Sequence, residues 1–332
     1  MDEKSYVTEA SQVVGITVVV PSFNQGRFID ATLTSLLDQQ YPALQILVMD
    51  GASTDDTVTR LRSYGSAIEW VSEKDEGQSD AIAKGFARAR YPWLTWLNSD
   101  DIQCNRALWE VAAAIAANPG VEVVIGGGHY MDADGGNPRP YPTIEFSTGD
   151  DIAQKIFANG YMAQPSVFFQ ADAYLRAGGV DRTLGFCMDY DLWARLAATG
   201  ARFARIRADI SGNRWYDDTK TASQYLELMA EVVNTQVRHF GRVSPYYVQA
   251  VSDNLYSKLH AAHFGEGHHL VYRWVYFKTV WCWFNMRRPG YCMRGLLFQS
   301  IAKSGPIVND TLTWREAIAA LFRAAARRRP SR

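Results

Sequence analysis

The first 130 residues alternate between two hydrophobic patterns. Short unbroken apolar runs, ITVVV (16–20), LQILVMD (44–50), IEWVS (68–72), WLTWL (93–97) and VEVVIGG (121–127), read as strands, the first β-branched and continuous as a strand buried on both faces would be. Between them, apolar residues recur at helical spacing: RFIDATLTSLLDQQ with Ile29, Leu33, Leu36 and Leu37 on one face, a stretch from Thr54 with Val58 and Leu61, SDAIAKGFARA (79–89) and ALWEVAAAIAA (107–117). Such alternation predicts right-handed βαβ units, and so an α/β fold with a mostly parallel, Rossmann-like sheet and helices on both faces. Past the turn-rich HYMDADGGNPRP (129–140) the pattern weakens. GYMAQPSVFF (160–169) reads as a loop leading to a short strand, and MDYDLWARLAATG (188–200) as an acidic loop leading into a helix. Beyond Thr221 the chain reads as helical, without repeats, so a soft boundary near 215 separates a domain 1–215 (halves about 16–128 and 129–215) from a C-terminal helical extension, 216–332.

In open sheets of this kind ligands bind beyond the carboxyl ends of the strands, where strand order reverses. Here those ends carry PSFNQG, DGASTDDT, EKDEGQSD and NSDD. No G-x-G-x-x-G follows the first strand and no G-x-x-x-x-G-K-[ST] occurs, which removes the usual dinucleotide and P-loop phosphate cradles. The adjacent carboxylates of Asp100 and Asp101 repel each other, and three arrangements accommodate them: a solvated turn, a cap for a helix beginning near Asn105, or a cation. Asp50, Ser53, Asp55, Asp56, Asp75 and Asp80 at the same edge add an oxygen density that favours a hard divalent cation, Mg²⁺ or Mn²⁺, shared with a substrate diphosphate. His129 has no second histidine nearby, and HAAHFGEGHH (260–269) lacks the acid of H-E-x-x-H, so neither predicts zinc.

Composition narrows the class. A chain of 332 residues with 47% hydrophobic residues and a formal charge of −1 is globular rather than disordered. Cys104, Cys187, Cys282 and Cys292 form no C-x-x-C and read as free thiols. The polar, acidic start MDEKSYVTEASQ and the lack of an apolar run of about 20 residues predict a cytoplasmic protein. From Leu270 onward the chain carries twelve Lys/Arg against two acids, a tail of about +10 on a body of about −11. There Trp274, Tyr276, Trp281, Trp283 and Phe284 interleave with Arg273, Lys278, Arg287, Arg288 and Arg294. That mixture suits peripheral attachment to an anionic membrane surface on the inner face of the cell membrane, and equally a core helix with a solvated basic tail. The acidic body makes nucleic acid a poor partner, and nothing in the sequence sets an oligomeric state.

Five stretches, VVVPSFNQGRFIDATLTSLLDQQYP, DGASTDDT, EKDEGQSDAIAKGFARA, WLNSDD and MDYDLWARLA, occur in this order over residues 16 to about 205. Together they resemble glycosyltransferase family 2, inverting enzymes of GT-A fold, in the type that builds bacterial cell-surface polysaccharide. The resemblance implies an NDP-sugar donor (UDP, dTDP or GDP), bound by the first half, and a glycan or lipid-linked acceptor hydroxyl bound by the second. It implies Pro21, Ser22 and Phe23 around base and ribose, Asp50 on the base, and Ser53, Asp80 and Lys84 also on the donor side. The family's D-x-D falls on Asn98, Ser99 and Asp100. The Asn at its first position leaves Asp100 as the direct metal ligand, with Asp101 either a metal-site residue behind it or structural. The family's E-D pair falls on Met188 and Asp189, which gives Asp189 the role of base; its competing reading is a helix N-cap, a role Asp191 also suits. Gln164, Asp191, Trp193 and Arg195 are the acceptor-side candidates. A nucleotidyltransferase, and an inactive nucleotide-sugar-binding module, are the alternative functions.

Overall fold

The structure is a computed structural model and describes residues 13–147, 150–216 and 225–259. The histidine cluster at 260–269, the basic aromatic stretch at 270–332, Cys282, Cys292 and the N-terminal twelve residues lie outside the described residues. Its strands are β1 (Ile16–Ser22), β2 (Leu44–Asp50), β3 (Glu69–Ser72), β4 (Trp93–Trp96), β5 (Ile102–Gln103), β6 (Val123–Met131), β7 (Arg139–Pro140), β8 (Val167–Gln170) and β9 (Phe203–Arg214). The helices are α1 (Ile29–Leu37), α2 (Thr57–Ser63), α3 (Gln78–Phe86), α4 (Ala107–Ala117), α5 (Ile152–Ala158), α6 (Ala171–Arg176), α7 (Met188–Ala198), α8 (Tyr225–Phe240) and α9 (Pro245–Leu259). The chain divides into two compact units, one running to Ala153 and resuming over Tyr161–Thr219, the other made of Gln154–Gly160 and the chain from Lys220.

The first unit is built on one sheet of order β3-β2-β1-β4-β8-β6-β9-β5, with β7 pairing β6. β1, β2, β3 and β4 pair in parallel. β8 is antiparallel to both β4 and β6, so β6 regains the direction of β4, and β9 runs parallel to β6. The order reverses at β1, which has β2 on one side and β4 on the other. The gap between the ends of β1 and β4 is therefore the crevice where such a sheet binds ligands.

Side-chain alternation gives each face its helices. Ile16, Val18, Val20, Ile46 and Val48 pack with Ile29, Leu33 and Leu36 of α1, Leu61 of α2 and Leu108 and Val111 of α4 in one core cluster. On the other face α3 comes close enough that a Cβ on Gly85 would stand 2.5 Å from Val19 Cγ1, so only glycine fits there. Phe86 of α3 then meets Trp96, Phe169 and Tyr174 edge-on, and Trp96 stacks on Trp193 of α7 at 5.6 Å and 19°. Aromatic rings thus join β4, β8, α3, α6 and α7 into a second core.

In the second unit, Gln236 Nε2 donates to the Phe157 carbonyl at 2.8 Å and the Tyr247 hydroxyl to the Asn159 carbonyl at 2.8 Å. Phe157 also packs on Phe240 and lies under the Arg242 guanidinium. Among the described residues no helix is long and apolar enough to cross a membrane.

Candidate active site

The loops after β1 and β2 are laced together. The amides of Asn24, Gln25 and Gly26 donate to Ser53 Oγ (2.7 Å), Thr57 Oγ1 (3.0 Å) and Asp55 Oδ2 (2.9 Å), and Thr54 N donates to Asn24 Oδ1 (2.8 Å). Asn24 sits at φ +53, the left-handed region that Asn tolerates best among non-glycine residues. Asp50 is the knot beneath. Its buried carboxylate accepts from Ser53 N, Ser53 Oγ and Ser72 Oγ at 3.0, 2.5 and 2.6 Å. Burial works to raise the Asp55 carboxyl, but the hydrogen bonds from Thr57 and Gly26 outweigh it and hold it below the usual range. Asp56 pairs with Arg60 at 2.7 Å.

This corrects the sequence reading of the acidic density: Asp50, Asp55 and Asp56 are spent on loop and helix contacts. No group of three or more His, Cys, Asp or Glu is arranged to hold a metal among the described residues. Pro21 is buried inside β1 beside Met49. What this edge offers a ligand is Phe23, 60% exposed, and Ser22 Oγ, buried with no hydrogen-bond partner at the mouth of the crevice.

At the end of β4 the acidic pair divides its labour. The Asp101 carboxylate is buried and accepts from Arg214 N (2.9 Å) and Asn98 Nδ2 (3.1 Å), while its carbonyl accepts from Thr32 Oγ1 (2.7 Å). Asn98 Oδ1 in turn accepts from Gln78 Nε2 at the start of α3 (2.7 Å). Both Asp101 oxygens are engaged inside the fold, so its assignment to the metal is corrected: it fixes the turn. Ser99 beside it is buried.

Asp100 is only half-buried, and one of its oxygens accepts from the Tyr216 hydroxyl at 3.0 Å. Burial pushes both carboxyls up, with mutual repulsion adding to Asp101; the Tyr216 hydroxyl and the Arg214 guanidinium pull Asp100 back. The helix-cap reading fails, because α4 begins after Arg106 at φ +60 with no side-chain cap.

The half-buried Asp100 presents a hard oxygen ligand at the switch point. The turn fits a divalent cation, with Asp100 as the protein ligand and substrate phosphates completing the shell.

Across from this turn, Lys84 Nζ and Arg182 Nη1 both pair with Asp80, at 2.9 and 3.2 Å, and Lys84 also approaches Glu73 at 3.8 Å. Lys84 holds the Asp80 carboxyl below its ordinary range. Asp80 is 4% exposed, which corrects its assignment as a direct donor contact: it is the buried anchor of two cations. Ser79 Oγ, donating to the Leu184 carbonyl at 2.5 Å, ties the same helix start to the 181–184 loop.

Asp189 lies half-buried in the first turn of α7, and its Oδ1 accepts from Tyr190 N at 2.7 Å. No side chain caps that helix, so the N-cap reading of Asp189 and Asp191 fails. The acceptor-side expectations divide. Asp191 is fully buried; its Oδ2 accepts from Arg195 Nε at 2.8 Å and lies in an ion pair 2.7 Å from Nη2, while Arg195 Nη1 donates to the Ala177 carbonyl. Trp193 is buried in the stack on Trp96. Asp191, Arg195 and Trp193 are therefore corrected to roles in seating α7. Gln164 donates through Nε2 to the Trp96 carbonyl at 2.7 Å and keeps a buried Oε1 without a partner.

Sequence reasoning missed Arg182, Arg214, Tyr216 and the aromatic residues around Tyr141. Tyr130 meets Tyr141 at 4.7 Å and Trp215 at 5.8 Å, and Tyr141 meets Tyr161 at 6.3 Å. The Tyr141 phenol is pushed up by burial first, then by neighbouring Tyr130 and by the negative charge of Asp189. Tyr130, Trp215 and Tyr216 carry the same contacts round to Asp100.

A parallel half-sheet with an acidic turn at its switch point, joined through β8 to a mixed half-sheet, is the GT-A architecture. Solved structures similar to this chain have it. Mannosyltransferase PcManGT from Pyrobaculum calidifontis, in complex with GDP-Man and Mn²⁺, superposes with a TM-score of 0.55 at 17% identity, covering 98% of this chain and 90% of that one. S. aureus TarS 1-349, in complex with UDP-GlcNAc, superposes at 0.53 and 14% identity over 81% and 82%.

Residues 17–172, just under half of the chain, match the family described as Glycosyl transferase family 2. The putative teichuronic acid biosynthesis glycosyltransferase TuaG of Bacillus subtilis (strain 168) is 32% identical over 90 residues, 26% of this chain and 36% of that protein. The chain spans about a third to three-fifths of the length of the curated relatives it matches first.

Proposed function

We propose that this chain transfers a sugar from a nucleoside-diphosphate donor to an acceptor hydroxyl with inversion, in cell-surface glycan assembly. The observation that carries the reading is the half-buried Asp100 at the strand-order switch point, held by the Tyr216 hydroxyl at the end of β4. The family match and the likeness to TuaG support the class and the setting. In this reading 1–215 is the catalytic domain, and 216–332 an accessory region whose basic tail meets an anionic membrane surface.

The nucleotide of a UDP, dTDP or GDP donor lies against Phe23 and Ser22, on loops held in shape by Asp50 and Ser53. A divalent cation, Mg²⁺ or Mn²⁺, held by Asp100 supplies charge neutralisation to the departing diphosphate. Lys84 and Arg182, gathered by Asp80, add positive charge on the same side. Asp189 accepts the proton of the attacking hydroxyl as its oxygen bonds to the anomeric carbon and the bond to the diphosphate breaks from the opposite face.

The test is release of nucleoside diphosphate from UDP-, dTDP- and GDP-sugars with Mn²⁺ and a glycan acceptor. Asp100→Ala should abolish turnover while leaving the fold intact. Wild-type turnover in that variant, or release of pyrophosphate from a nucleoside triphosphate instead, would overturn the assignment.

A further inference from the structure

Asn98 stands where the D-x-D of the resembled family has its first acid, and its amide is used at both ends. Nδ2 donates to Asp101 Oδ2 at 3.1 Å, and Oδ1 accepts from Gln78 Nε2 at 2.7 Å. We infer that Asn98 is a positioning residue, whose amide holds one of the two neighbouring carboxylates inside the fold and leaves Asp100 alone to face the cation. The cation is that of the proposed transferase, on which this role rests; the sorting of the acidic pair stands on the hydrogen bonds.

Residues 98–101 form a turn that is closed twice. Asp101 N donates to the Asn98 carbonyl at 3.0 Å, and the side chains of the same two residues are bonded to each other. First and last residues are thereby clamped, while Ser99 and Asp100 form the tip. Asp101 is fixed further by the Arg214 amide on Oδ1 (2.9 Å) and by Thr32 Oγ1 on its carbonyl (2.7 Å). Gln78 opens α3, so its bond to Asn98 braces the turn against the helix that carries Asp80 and Lys84. Asp100 meets only the Tyr216 hydroxyl among these partners, at 3.0 Å, and stays half-buried.

The position calls for an amide. Asp101 Oδ2 takes a donor and Gln78 Nε2 an acceptor; an amide supplies both, whereas a carboxylate supplies acceptors alone. An acid at position 98 would set oxygen against oxygen where the 3.1 Å bond now lies. Asp101 would then be buried with a like charge beside it and one donor fewer. The chain therefore presents one carboxylate in a fixed place rather than two acids in competition, and a bound diphosphate supplies further oxygens to the cation. Groups that orient a ligand from behind carry much of a site's metal affinity.

Binding of Mn²⁺ to the full-length chain with UDP and with GDP, read from the enhancement of water-proton relaxation, tests this role without turnover. The wild type should bind with at least one of the two nucleotides, and Asp100→Ala should abolish the enhancement. Asn98→Asp, which restores the acid of the motif, should weaken Mn²⁺ binding about tenfold. Asn98→Ala removes the donor without adding charge and should weaken it by a smaller factor. Combining Asn98→Asp with Asp101→Asn exchanges the pair: the new amide at 101 donates to the new carboxylate at 98, and the bonds from Arg214 N and Gln78 Nε2 are kept. That double variant should regain most of the loss. Thermal unfolding of each variant ensures that affinities are compared among folded proteins. Unchanged or tighter binding in either single variant overturns the positioning role and spares the cation. So does failure of the exchanged pair to recover, which would put Asn98 on the nucleotide instead. If the wild type shows no enhancement with either nucleotide, or Asp100→Ala keeps it, the cation of the proposed function falls and the role of Asn98 with it.

Discussion

The two edges of the sheet's ligand-binding end solve opposite problems. On the β1–β2 side, polar groups are consumed internally: Asn24, Gln25 and Gly26 clasp Ser53, Thr57 and Asp55, and three donors converge on Asp50. On the β6–β9 side, the amide oxygen of Asn213, two residues before a half-exposed tryptophan, is left without a partner. In the proposed reading a donor carrying a constant nucleotide suits a rigid cradle, while an acceptor that differs between related transferases suits a face with polar capacity to spare.

Substitutions at four positions probe the two edges. The largest effect belongs to Asp189→Asn, which should cut kcat about 100- to 10,000-fold, the usual weight of a general base, while donor affinity measured by calorimetry stays unchanged. Trp193→Ala empties a site that is 1% exposed and should cost about 3–5 kcal/mol of stability in denaturant titration, with loss of both edges together. Asp50→Ala takes the buried acceptor away from the Ser53 and Ser72 donors and should cost about 1 kcal/mol. Donor affinity should fall with it.

The smallest effect is a pH dependence. Because Lys84 holds the Asp80 carboxyl below its ordinary range, the stabilisation from this pair is complete above the unfolded carboxylate value of about 4 and is lost as pH falls through the lowered folded value. Asp80→Asn should therefore flatten the acid limb of the stability curve and leave the neutral region nearly unchanged.

The donor-side strands and helices were legible because their signals are local. LQILVMD forms β2 at Leu44–Asp50 and ALWEVAAAIAA forms α4 at Ala107–Ala117, each with the bounds its pattern predicts. The long β9 escapes a pattern reading although Ala204 and Ile206 alternate with Arg205 and Arg207 in strand fashion; the charged residues hide the period. Following that strand through to its end sets Arg214 and Tyr216 on one side and Asn213 and Trp215 on the other.

At the site, Asp100 and Asp189 came from family motifs, and their setting did not. Asp101 and Asp191 carry the same side chain in the same kind of acidic run, yet one is taken up by Arg214 N and the other by Arg195. Those partners lie 113 and 4 residues away, and only the folded chain decides which carboxylate they claim. Trp193 reads as an acceptor contact until Trp96 is seen to lie against it.

That stacked pair of indoles acts as a gauge block. Trp96 ends the strand that leads to Asp100, and Trp193 stands one helical turn in from Asp189, so in the proposed reading the span between those two carboxylates is set through two rings in contact. Dense aromatic packing on both sides makes that dimension stiff. The edges to either side are free to diverge in which sugars they recognise, because the bond-forming span between them is calibrated elsewhere.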